Sequence, residues 1–192
     1  MLVYLVVAAI LGTTLPPCRS HAMDREDIKA NLRNHLHYLS VTLGDRSIYR
    51  PGNLQAAADY VFQNFAAMGY APRRQTFISM QEEVGNVIAG DENPGGYYIL
   101  GAHFDTVAGT PGADDNASGV AVLLEVARLA RNLTPPRPWA FIGFTCEEPP
   151  AFFTPDMGSR VYVKRARQQK ANILGMLCLE MVGYYSQAPH SQ

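Results

Sequence analysis

The chain has 192 residues, 47% of them apolar and 17% charged, with a formal net charge of −1. That is ordinary composition for one globular domain with a sizeable core, and it excludes wholesale disorder. So balanced a charge gives no basis for a nucleic-acid partner or for binding an anionic membrane surface.

Residues 2–11 form an unbroken apolar run, followed by Gly12, Pro16, Pro17 and the small residues Ser20 and Ala22. This reads as a secretory leader cleaved before Met23, the run being short for a membrane span. The expectation is a signal peptide over 1–22 and a functional domain over 23–192. The product is then secreted or periplasmic, with no stable membrane partner after cleavage; an uncleaved N-terminal anchor is the alternative. Cys18 would leave with the leader. Cys146 and Cys178, each just before a carboxylate, are expected as buried, unpaired thiols, with a disulfide in an oxidising compartment as the alternative.

Residues 24–39 place Ile28, Leu32, Leu36 and Leu39 at helical spacing behind Asp24 as N-cap. His35 and His37 lie on this helix without an acidic or thiol partner at metal-ligand spacing, so both read as surface or half-buried side chains. A loop through Gly44 and Pro51-Gly52 leads to a second helix over 54–68, which Gly69 stops. Residues 75–80 and 84–89 read as strands. From Tyr97 onward the pattern is strand, turn, helix, strand, loop, helix, strand. The helix over 118–131 is apolar nearly all round and should be well buried. The helix over 158–170 carries Lys164, Arg165, Arg167 and Lys170, a basic cluster that should face solvent. Continuous apolar strands separated by helices predict an α/β fold, a three-layer α/β/α sandwich around a mixed, mainly parallel sheet.

Three apolar runs end in side chains able to bind metal. Residues 97–102 run into His103 and Asp105, residues 140–144 into Glu147 and Glu148, and residues 173–179 into Glu180. Between the first two lies the acidic turn Gly112-Ala113-Asp114-Asp115-Asn116-Ala117-Ser118-Gly119. Ligands of open α/β sheets bind outside the carboxyl ends of the strands, where these residues fall. His103 offers an imidazole, and Asp105, two residues on, can accept its other ring N–H. Asp115, with two oxygens, can bridge two cations about 3.5–4 Å apart, and Asp114 competes for that role. N-capping of the following helix is the structural alternative for Asp114, Asn116 or Ser118. Neighbours in an extended segment point oppositely, so one of Glu147 and Glu148 can ligate metal while the other takes a proton from water. Imidazole with carboxylates suits zinc, with manganese or cobalt close behind. The reaction class is metal-assisted hydrolysis or another acyl transfer at a carbonyl.

These motifs, with Leu179-Glu180-Met181-Val182-Gly183-Tyr184, resemble the co-catalytic zinc exopeptidases, which include bacterial leucyl aminopeptidases, aminopeptidase Y, glutamate carboxypeptidase II and the glutaminyl cyclases. The resemblance covers residues 28–187, including Asn86-Val87-Ile88-Ala89 and Asp156-Met157-Gly158-Ser159. It implies a zinc-dependent aminopeptidase acting on peptides, with two zinc ions in the complete enzyme. By the same resemblance His103 is a first-zinc ligand oriented by Asp105, Asp115 the bridging carboxylate, Glu147 the general base and Glu148 a second-zinc ligand. Glu180 stands where the family usually has an Asp on the first zinc. The family's late histidine ligand has no counterpart: 12 residues follow Glu180, and their one histidine, His190, reads as a bystander. The expectation is an N-terminal portion of such an enzyme. A glutaminyl cyclase-type acyl transferase, a glutamate-releasing carboxypeptidase and a non-catalytic metal-binding domain stay open as alternatives. Phe152, Phe153 and Tyr185 are candidates for an apolar pocket, against the commoner fate of core packing.

Overall fold

A computed structural model of the chain describes residues 25–188. The expected leader over 1–22, Cys18, the Asp24 cap and His190 lie outside the described residues. Helix α1 (Arg25–His37) buries Ile28 and His35 and runs into a wide π-helical turn, Tyr38–Leu43. Helix α2 spans Pro51–Ala67, starting three residues before the expected Leu54. Proline suits a first helical position, because its φ is already helical and the amide it lacks would have no partner there. At the other end Gly69 has φ +82°. The Gly69 and Tyr70 amides close on the Ala66 and Phe65 carbonyls at 2.9 and 3.1 Å, so the predicted stop is a Schellman turn.

Strands β1 (Arg73–Ser79) and β2 (Glu82–Gly90) form a hairpin, followed by β3 (Tyr97–His103), α3 (Gly119–Ala130), β4 (Trp139–Phe144), α4 (Gly158–Gln168) and β5 (Ile173–Cys178). The sheet order is β1-β2-β4-β3-β5. Both β1 and β4 pair antiparallel with β2, while β3 pairs parallel with β4 and β5. Four of the five strands therefore point the same way and β2 alone runs against them.

Alternation along the strands fills both faces. Val87, Ala89, Leu100, Ala102 and Phe141 join one core with Leu54, Val61 and Phe65 of α2 and Val120, Leu123 and Leu124 of α3. Ile88, Ile99, Ala140, Ile142 and Phe144 face the other way, onto Tyr162 and Ala166 of α4. That makes three layers. Helix α3 is buried as expected, but it also buries Glu125 completely. The Glu125 carboxylate is satisfied by two bonds from Arg128, at 2.6 and 2.9 Å. Lys164, Arg165, Arg167 and Lys170 are exposed, with Ala166 the buried residue among them. Among the described residues no helix is long and apolar enough to cross a membrane.

Candidate metal centre

Because β4, β3 and β5 are parallel neighbours, their carboxyl ends open onto one edge of the sheet. His103 is the last residue of β3, opposite Phe144 of β4. The Leu179 amide bonds the Gly101 carbonyl at 2.8 Å, which carries β5 on to Glu180 beside His103. The imidazole is 8% exposed. Its Nε2 lies 3.2 Å from Asp115 Oδ1 and 3.3 Å from Glu180 Oε1. One ligand atom each from His103, Asp115 and Glu148 fall within 4.8 Å of one another. Glu180 borders this cluster without joining it.

Asp105 sits under the ring rather than squarely bonded to it. His103 Nδ1 is 3.2 Å from the Asp105 carbonyl oxygen and 3.4 Å from Asp105 Oδ1, the latter too long for a good hydrogen bond. Asp105 Oδ2 accepts the Glu148 amide at 3.0 Å, so this carboxylate also ties the β3 exit to the β4 exit.

Glu147 and Glu148 do diverge, but not because the segment is extended. Cys146, just before the pair, has φ +58°, a left-handed turn in the exit from β4. Glu147 swings towards α4, where it accepts the Ser159 amide at 2.6 Å and the Ser159 hydroxyl at 2.8 Å. Glu148 faces Asp115. Asp114 is taken up by the Gly183 amide at 2.7 Å and the Ser118 hydroxyl at 3.2 Å, outside the cluster. Asn116 provides the cap: its Oδ1 accepts the Gly119 amide at 3.1 Å, and its Nδ2 donates to the Leu179 carbonyl at 2.8 Å. One buried side chain thus fixes both the start of α3 and the segment carrying Glu180.

The electrostatics call for a cation at this point. Burial alone would lower the His103 pKa, yet the Asp105, Asp115 and Glu180 carboxylates around the ring outweigh it and push the ring up to about 12. The His103 contact holds the Asp115 carboxyl below its ordinary range against the effect of burial. Burial, and then the Asp115 charge, raise Glu148 to about 7. Burial also raises Glu147, although the Ser159 bonds pull the other way. Asp115 Oδ1 is buried and, despite its closeness to Nε2, makes no hydrogen bond of good geometry. A buried carboxylate oxygen without a hydrogen bond, beside an imidazole and a second carboxylate, fits a divalent cation of the zinc type.

Several residues that shape the site were not assigned a role from sequence. Asn86, fully buried in β2, accepts the Thr145 amide and donates to Gln75 and to the Gly158 carbonyl. It joins β1, β4 and α4 just beside Glu147. A lone Asn inside an apolar strand was the available signal. Ser159 lay in a stretch of the family resemblance without a role, and Arg46 left no signal. Cys146 is buried, and burial pushes its thiol up to about 11, so it is inert as a nucleophile. Cys178 is unpaired as expected but exposed, because it lies on an edge strand. Phe152, Phe153 and Tyr185 are 49, 68 and 75% exposed, which rules out core packing.

Fold and donor set together define an α/β scaffold with a candidate metal site at the carboxyl edge of its sheet. Residues 85–192 match the profile of Peptidase family M28. The chain belongs to that family. It is similar to the Escherichia coli uncharacterized protein YfbL, 36% identical across 93% of this chain and 55% of that protein. It is also similar to leupeptin-inactivating enzyme 1 of Streptomyces exfoliatus, 33% identical across 80% of this chain and 36% of the relative. Among solved structures, LapB from Legionella pneumophila superimposes with a TM-score of 0.70 at 25% identity, over 92% of this chain and 51% of that one. The chain therefore spans about half the length, or less, of these relatives.

Proposed function

We propose that this chain carries the metal site of a zinc-dependent aminopeptidase that hydrolyses the first peptide bond of its substrate. The observation behind this reading is the approach of His103, Asp115 and Glu148 at the carboxyl edge of the sheet, with the half-buried Glu147 next to Glu148 in the chain. His103, Asp115, Glu148 and Glu180 would hold zinc, and the two oxygens of Asp115 suit it to bridging two ions. Zinc held there would supply the acidity of a bound water, lowering its pKa towards about 7, and would polarise the substrate carbonyl. Glu147 takes the proton of the attacking water and returns it to the leaving amine. Its raised affinity for a proton suits both halves of that exchange. Asp105 steadies the His103 ring. The names of relatives agree: beyond the leupeptin-inactivating enzyme, aminopeptidase YwaD of Bacillus subtilis is 45% identical over 47 residues. The apolar run over 2–11 supports an exported protein.

The full chain, purified, is to be assayed for bound metal and for hydrolysis of leucyl anilide, with cyclisation of an N-terminal glutaminyl peptide alongside. Glu147→Gln should lower turnover by about a hundredfold to ten-thousandfold while metal content holds. Asp115→Ala should lose metal. Full activity in Glu147→Gln would refute the general-base role. Zinc without hydrolysis would favour a binding domain, and cyclisation without hydrolysis an acyl transferase.

A further inference from the structure

Arg46 is fully buried, yet it forms no salt bridge among the described residues. Its guanidinium spends its donors on five main-chain carbonyls instead. Nε bonds Phe104 at 2.8 Å, and Nη1 bonds Leu39, Gly44 and Pro111 at 2.6, 2.8 and 2.9 Å. Nη2 bonds Gly112 at 3.0 Å, and the Arg46 amide donates to Thr106 Oγ1 at 3.0 Å. Phe104 and Thr106 flank Asp105. Pro111 and Gly112 lead into the turn that carries Asp115.

The same loop is pinned from the next residue back. Asp45 Oδ2 accepts the Gly109 amide at 2.9 Å. Gly112 has φ +52°, and a Cβ there would lie 2.3 Å from Thr106 Cγ2 and 2.9 Å from Arg46 Nη2. The loop is folded tightly around the guanidinium. Burying a full charge against neutral carbonyls costs more than an apolar filler would, so packing alone does not account for it. Arginine's planar fork can hold several acceptors in fixed directions, which a lysine cannot do. Burial of the Arg46 charge dominates, and the Asp105, Asp45 and Asp115 carboxylates nearby offset only part of it.

We propose that Arg46 is a positioning residue that holds the 104–112 loop in the shape that brings Asp105 and Asp115 to His103. Its effect on metal binding rests on the zinc reading above; its effect on the loop does not. The test compares Arg46→Met and Arg46→Lys with Phe65→Leu, a core change at the far end of α2 chosen to lower the melting temperature of the metal-free protein comparably. Zinc affinity is read by competition with a chromophoric chelator, and amide exchange over residues 104–117 is read on the metal-free protein.

Arg46→Met should weaken zinc binding by about tenfold or more and speed exchange across the loop, with Arg46→Lys in between. Phe65→Leu should change neither. Should Arg46→Met not fold, Arg46→Lys against Phe65→Leu decides. The proposal is overturned if loop exchange in the arginine variants matches wild type, or if Phe65→Leu speeds it equally. Wild-type protein that binds no zinc would remove the metal reading, and the exchange comparison would still judge the role of Arg46.

Discussion

His35 and His103 show how one side chain takes opposite electrostatic roles in one molecule. His103 is drawn towards the charged form by three carboxylates. His35, buried against the Tyr60 hydroxyl at 2.7 Å, is driven towards the neutral form, burial outweighing the pull of Glu125. A histidine with a lowered folded pKa leaves the unfolded chain binding more protons, so stability rises with pH. Its contribution is complete above about pH 6.5 and fades as pH falls through that value. The His103 contribution has the reverse sign, present in acid and lost as pH rises. Replacing His35 by Asn should therefore flatten the fall in melting temperature between pH 7.5 and 5.5 in the metal-free protein. Equal slopes would dismiss the assignment. At this scale sequence reading found the candidate ligands, because a His or Glu closing an apolar strand is conspicuous. It gave no role to Arg46 or Ser159, whose partners are a loop and a neighbouring carboxylate that only tertiary folding brings near.

The elements are placed by close backbone approach as much as by apolar burial. The start of α4 is pressed so tightly onto the β4 exit that a Cβ on Gly158 would fall 2.2 Å from the Thr145 carbonyl and 2.4 Å from Asn86 Oδ1. Gly158→Ala should cost on the order of 1–3 kcal/mol, measured by urea unfolding, and should move Ser159 away from Glu147. A cost below about 0.5 kcal/mol would mean the contact relaxes freely. Periodicity located most of the α-helices and strands, by a helical stripe or an apolar run, though β1 has neither and the π-helical turn Tyr38–Leu43 was not foreseen. It did not show the two-residue turn between β1 and β2. Met80 and Gln81 both take positive φ there, a conformation usually marked by Asn or Gly. Nor could it show that β2 runs against its neighbours, which depends on that hairpin.

Across the whole molecule the sheet is unevenly finished. At one edge β1 carries Arg73 and Arg74, paired with Glu92 and Asp59. At the other, β5 leaves Leu174, Met176 and Leu177 each at least 40% exposed beside an open row of backbone groups. Such an edge invites strand addition. The 192-residue chain, studied by itself, should gain mass with concentration in sedimentation equilibrium, and Leu177→Lys should reduce that gain. A concentration-independent monomer would show the edge to be inert.

The contact between His103 and Glu180 spans 77 positions of the chain, and it crosses from the middle strand to the last. Contacts of that reach carry a loop-closure cost and form slowly. The cluster of His103, Asp115 and Glu148 draws on the end of β3, the turn before α3 and the exit of β4, so it is complete only when all three are docked. That arrangement of donors is therefore assembled late in folding, and partly folded forms of the chain lack it.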